Sequence, residues 1–144
     1  MRNEFKNWKQ PKFHDDGTTN WHWKCQHNEN LSLGEYVDVG SYTYINAKKS
    51  VKIGEHVQIG SHCSIYSIST IDNKEGPVNL EKNCRIGSHS VIMPNVTIGK
   101  NSIIGAFSFV NRDIPENVVA FGIPVKVVRK LTPYEIKRIQ SDIE

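Results

Sequence analysis

Four groups of residues in this chain carry side chains and spacings able to do chemistry. His56, His62 and His89 each stand three places after a branched aliphatic (Ile53, Ile59, Ile86), so they share one phase of a repeat. An imidazole can accept a proton near neutral pH or ligate a metal ion. Residues 71–79, IDNKEGPVN, set Asp72, Asn73 and Glu75 close after Ser69 in a turn-rich stretch that can orient a polar substrate. Arg112, Lys126, Arg129 and Lys130 gather toward the C-terminus as a local anion site. Trp21, His22 and Trp23 offer aromatic faces suited to a sugar ring or a nucleobase, or else they cap an end of the fold.

The element that must hold these groups is a six-residue beat. Leu33, Val39, Ile45, Ile53, Ile59, Ile65, Ile71, Leu80, Ile86, Ile92, Ile98, Ile104 and Val110 mark it, with a slip after Ile45 and an interruption after Ile71. A helix repeats near 3.6 and a half-buried strand near 2, so this period belongs to a solenoid. Gly follows the aliphatic in many hexads, and a small or β-branched residue such as Val57, Cys63, Ser69, Cys84 or Ser90 comes four places after it. That pattern predicts short strands joined by tight corners, with Gly easing the bend. Three hexads make one triangular coil, and the count gives roughly four coils of about eighteen residues. The nine residues after Ile71 replace the usual six, and loops on a rigid scaffold carry sites.

A chain of 144 residues fits one domain, with residues 1–32 as an N-terminal capping segment, 33–131 as the solenoid and 132–144 as a helix. Phe5, Trp8, Phe13, Trp21 and Trp23 punctuate the cap. Thr132, Pro133 and Glu135 form a capping-box start, and Ile136, Ile139 and Ile143 share a helix face. The net charge of +3 is mild and scattered, which gives no nucleic-acid footprint. No charged-then-apolar leader and no long apolar run are present, so the expectation is a cytoplasmic protein without membrane insertion. Cys63 and Cys84 take the small inward position as compact apolar groups, while Cys25 falls outside the repeat and has no CxxC partner. No metal site is expected.

The stretch IGSHSVIMPNVTIGKNSIIGAFSFVNRDIPENVVAFGIPVKVVRK, with the hexads before it, resembles the hexapeptide-repeat acyltransferases over about residues 31–131. The resemblance implies an all-β fold, a left-handed parallel β-helix with an N-terminal aromatic-rich cap and a short C-terminal α-helix. It also implies a homotrimer and acetyl-CoA as acyl donor, bound in the cleft between two subunits. Carried over by motif, Ser88, Ala106, Asn111, Arg112, Lys126 and Arg129 are coenzyme-binding, with Lys126 and Arg129 facing its phosphates.

Many sugar O-acetyltransferases of that family place a general-base histidine in the loop where this chain reads SIYSISTIDNKEGP, which has none. A hydroxyl needs a base during attack, whereas an unprotonated amine is already nucleophilic. The resemblance therefore implies transfer to the amine of an amino sugar, nucleotide-linked, in the making of surface polysaccharide. Asp72 orients the amine or takes its proton, and His62 is the reserve base. Ser69 and Asn73 support the reaction, Trp21, His22, Trp23 and Glu75 contact the acceptor, and coil N–H groups receive the oxyanion. Two other readings stand beside this one. The first is a sugar O-acetyltransferase with His62 or His22 as base, and the second is a carbonic-anhydrase-like β-helix binding metal through His56, His62 and His89.

Overall fold

The computed structural model describes residues 6–142. They build a parallel β-solenoid whose three walls are each a sheet of stacked short strands. The first wall stacks Lys24–Gln26, Tyr44–Asn46, Ser64–Tyr66, Val91–Ile92 and Phe109–Val110. The second stacks Leu31–Leu33, Val51–Ile53, Val78–Leu80 and Thr97–Ile98. The third stacks Asp38–Val39, Gln58–Ile59, Arg85–Ile86, Ile103–Ile104 and Val118–Phe121, and then adds Lys126–Lys130 antiparallel. The hexad aliphatics meet in register: Ile45 on Ile65 on Ile92 on Val110, and Ile53 on Leu80 on Ile98. These side chains are buried and form one continuous core, which a single coil could not enclose alone.

The solenoid is longer than the hexad count predicts, because Cys25 and Val118 each begin or end a turn. Cys25 is a rung of the first wall, paired with Ile45 and fully buried, although its sequence position lies ahead of the first aliphatic hexad. The first wall accordingly has five strands.

The corners are built differently from the expectation. The backbone enters the left-handed region not at the residue after the aliphatic, where the glycines stand, but at the third place after it, at Tyr36, Tyr42, His56, His62, Asn83, His89, Asn95, Asn101 and Phe107. Asn and His tolerate that region better than most residues. The glycines answer to a different constraint, the close approach of adjacent coils. A Cβ on Gly34 would sit 2.6 Å from the amide nitrogen of Glu55, and one on Gly60 would sit 2.6 Å from that of Ser88.

Ile71 is not a rung. It is 97% exposed at the tip of an antiparallel hairpin that pairs Ile68–Ser69 with Lys74–Glu75, and Ser69 is only half-buried. Ser67, fully buried, occupies the inward place before the chain leaves the wall. The chain returns at Val78, so the excursion spans 68–77 and starts earlier than the hexad phase suggests.

The N-terminal end of the prism is closed by side chains. The carbonyls of Val37 and Leu33 face the N-terminal end with no coil beyond them, and accept from Trp8 Nε1 and Gln10 Nε2, each at 2.8 Å. Trp23 is 3% exposed and meets Phe13 edge-on, centroids 5.4 Å apart. Helix α1, Pro133–Ser141, begins with the expected capping box at Thr132 and reaches back along the third wall. Its Ile139 is buried, and Asp142 pairs with Arg85 of the third wall at 3.3 Å. Phe5 and Ile143 lie outside the described residues.

Candidate functional site

The hairpin leans from the edge between the first and second walls and encloses a groove of about 410 Å³. Its lining comes from Asn46, Tyr66 and Met93 on the first wall and from residues 68–72 on the hairpin. Tyr66 packs on Tyr44 with centroids 5.8 Å apart, and the Tyr44 hydroxyl is hydrogen-bonded to Gln26 and Asn46. An aromatic floor with amides beside it suits a sugar ring. Sequence reasoning missed Asn46, Tyr66 and Met93. The available signal was position: each directly follows a buried aliphatic (Ile45, Ile65, Ile92), so each faces outward on the wall that carries the insertion.

Asp72 lies on the hairpin within 3.4 Å of Lys74 Nζ. Hydrogen bonding from Ser69, and then from Lys74, holds its carboxyl below the ordinary carboxylate value, so it is an anion at neutral pH. Ser69 and Asp72 therefore come together as the sequence suggests. Asn73 occupies the turn with φ 53°, and Glu75 is drawn away toward Lys49 Nζ, 3.7 Å distant.

The histidines separate. His62 and His89 occupy the edge between the third and first walls, in a column that runs His22, Tyr42, His62, His89, Phe107. His62 and His89 are stacked at 4.8 Å and 7°. His56 belongs to another edge, where it stacks on Tyr36 at 4.9 Å. Identical hexad phase thus does not mean a shared location, because successive hexads turn successive corners. Among the described residues no group of three or more His, Cys, Asp or Glu is disposed to hold a metal ion. His62 is also distant from the hairpin groove: the strand to Tyr66 crosses the wall, about 13 Å of extended chain.

The coenzyme candidates divide as well. Ser88 and Ala106 lie on the histidine edge, where Phe107 N donates to Ser88 O at 3.0 Å. Asn111 and Arg112 are exposed and follow the last rung of the first wall, on the hairpin's side. Lys126 is exposed on the last strand of the third wall. Arg129 does not keep its fork for phosphate, since Glu135 takes both guanidinium nitrogens at 2.9 and 2.7 Å. The coil N–H groups of His62 and His89 are engaged by carbonyls of the adjacent coil, each at 3.1 Å, and so are not oxyanion donors.

Trp21 and Trp23 do not form one wall with the hairpin. Trp23 belongs to the core, Trp21 is 56% exposed at the N-terminal end, and His22 starts the aromatic column. The cysteines are all buried: desolvation pushes the Cys25 thiol up to about 12 and raises Cys63 and Cys84, so each stays a protonated core group. No helix among the described residues is long and apolar enough to cross a membrane.

Residues 77–112 match the model of the bacterial transferase hexapeptide family, six repeats. The chain is 56% identical over 55 residues to galactoside O-acetyltransferase of Escherichia coli K12, an alignment covering 38% of this chain and 27% of that one. Its fold overlays a hexapeptide-repeat acetyltransferase of Vibrio cholerae complexed with acetyl coenzyme A, with TM-score 0.72, 27% identity, and 76% of this chain and 65% of that chain covered. It also overlays a galactoside acetyltransferase in complex with coenzyme A, with TM-score 0.71, 31% identity, and 79% and 61% covered. The chain thus spans little more than a quarter of the curated relative's length and under two thirds of each solved chain.

Proposed function

We propose, from its similarity to hexapeptide-repeat transferases, that this chain transfers an acetyl group from acetyl-CoA to the amine of a nucleotide-linked amino sugar. The observation that carries the reading is the hairpin groove: a carboxylate held ionised at Asp72 lies beside an aromatic and amide floor, and no imidazole lines it. An anionic Asp72 is a weak base for a hydroxyl but a good partner for an ammonium, which it holds until the neutral amine attacks. The ammonium first releases one proton to solvent water; the C–N bond then forms at the thioester carbon, the C–S bond breaks, and the second nitrogen proton goes to the coenzyme thiolate.

The reading includes a homotrimer. Ser88, Ala106 and Lys126 border one edge of the protomer, and the hairpin, Asn111 and Arg112 border another, with the first wall between them. The hairpin edge of one copy set against the histidine edge of the next brings acceptor and coenzyme together, so the active site is shared. The same assembly covers the exposed Ile71 tip and the exposed Tyr42 and Phe107 of the aromatic column.

A second reading, O-acetylation of a sugar hydroxyl, is favoured by the identity with the galactoside enzyme. In that case His62 of the neighbouring copy faces the groove as base. Release of free coenzyme A, followed across amino-sugar nucleotides and plain hydroxyl sugars with wild type, Asp72→Asn and His62→Asn, separates the two. Turnover confined to hydroxyl acceptors and abolished by His62→Asn overturns the first reading.

A further inference from the structure

The geometry points to a second saccharide-binding site, at the N-terminal end of the prism and separate from the hairpin groove. A cavity of about 490 Å³ opens there between the N-terminal segment around residues 7–11 and the first coil; Trp8, Trp21 and Trp23 line it together with the apolar Leu33, Val37 and Val39, and Asn7, Lys9 and Asp38 supply polar groups. An N-terminal segment that served only to bury the end of the core would pack against it with few voids larger than a water molecule. This space instead falls within the size of small-molecule sites, roughly 300 to 1,000 Å³.

The lining is built to stay in place. Trp8 is fixed by the hydrogen bond from Nε1 to Val37 O and by Tyr36, centroids 5.9 Å apart. Trp23 is fixed against Phe13. The carbonyl of Trp21 accepts from Ser41 Oγ at 3.2 Å, which holds its backbone while the indole remains 56% exposed. Trp23, 3% exposed, forms the buried floor, and the exposed Trp21 indole is the face that meets the C–H face of a pyranose. The Asn7 amide donates and accepts and the Lys9 ammonium donates, which answers sugar hydroxyls or a sugar carboxylate. One exposed indole beside the polar groups of Asn7, Lys9 and Asp38 favours a saccharide over a purely apolar ligand.

The site does not depend on the transfer chemistry, since the hairpin leaves the wall two coils away, about 10 Å along the prism axis. Titration of the full chain with maltotriose and, separately, glucuronic acid tests it by tryptophan emission and calorimetry. At least one probe is expected to bind. Trp21→Ala weakens that binding about tenfold, a loss of ~1.4 kcal/mol, Trp21→Phe retains most of it, and Lys9→Gln weakens glucuronic acid alone. Thermal unfolding of each variant checks that the fold is kept. Asp72→Asn binds as wild type does. Absence of binding by both probes at tens of millimolar, or equal affinity in Trp21→Ala, overturns the site. Loss of binding in Asp72→Asn also overturns it, because it places the saccharide in the hairpin groove.

Discussion

Arg129 holds both carboxylate oxygens of Glu135 in its fork, while Glu135 Oε2 also accepts from the backbone N–H of Thr132 at 2.7 Å. One carboxylate thus ties the last strand of the third wall to the first turn of α1. The Arg129 guanidinium, and after it the Thr132 N–H, pull the Glu135 carboxyl from its ordinary 4.5 to about 2. A carboxyl depressed on folding stabilises the folded form above its ordinary value and loses that contribution as pH falls. The tie is therefore intact at neutral pH and fails between pH 4.5 and about 2. Limited proteolysis after Leu131 is expected to speed up over that window in wild type, and to be fast already at pH 7 in Glu135→Gln.

Under the proposed function, with Arg129 engaged by Glu135, Lys126 is expected to carry more of the coenzyme phosphate contact. Lys126→Gln is expected to raise the KM for acetyl-CoA roughly tenfold, the scale of one charge-assisted contact, with kcat little changed. Arg129→Gln should change KM less than Lys126→Gln. Steady-state kinetics in both variants decides, and a larger effect at Arg129 would mean that its fork exchanges Glu135 for phosphate.

Asp72→Asn is nearly isosteric but removes the charge that, under the proposed function, holds an ammonium. The expected loss in kcat is roughly 10²-fold or more, in the range of a lost general acid–base group. A variant with wild-type kcat on every acceptor would remove Asp72 from the reaction.

Gly60→Ala puts a methyl 2.6 Å from the amide nitrogen of Ser88, and backbone cannot swing aside as a side chain can. Overpacking there should cost about 2 kcal/mol or more, read as a lower midpoint in urea with an unchanged slope. Ile98→Asp, at a fully buried rung, should abolish folding at ordinary temperatures by burying an unpaired charge.

Cys25, Cys63 and Cys84 should resist alkylation by iodoacetamide at pH 8 in the folded protein and react once urea unfolds it. Their burial keeps the thiolate unpopulated. Rapid labelling of Cys63 in the folded state would contradict its inward position.

The sequence by itself determined the solenoid. A buried aliphatic every sixth residue has one geometric solution, and the ladders Ile45–Ile65–Ile92 and Ile53–Leu80–Ile98 follow from it because stacked parallel strands bring equivalent hexads into register. The capping box at Thr132 was equally legible, since a helix start is a local hydrogen-bond pattern. Ile71 was misread because it keeps the hexad phase in sequence while the chain has already left the wall. Tertiary structure alone decided which edge each hexad turns, and so it parted His56 from His62 and His89, placed Asp72 over Tyr66 and Asn46, and gave Arg129 to Glu135. Phase along a chain is a one-dimensional property, whereas a site is assembled from residues on different coils, whose meeting depends on how many corners lie between them.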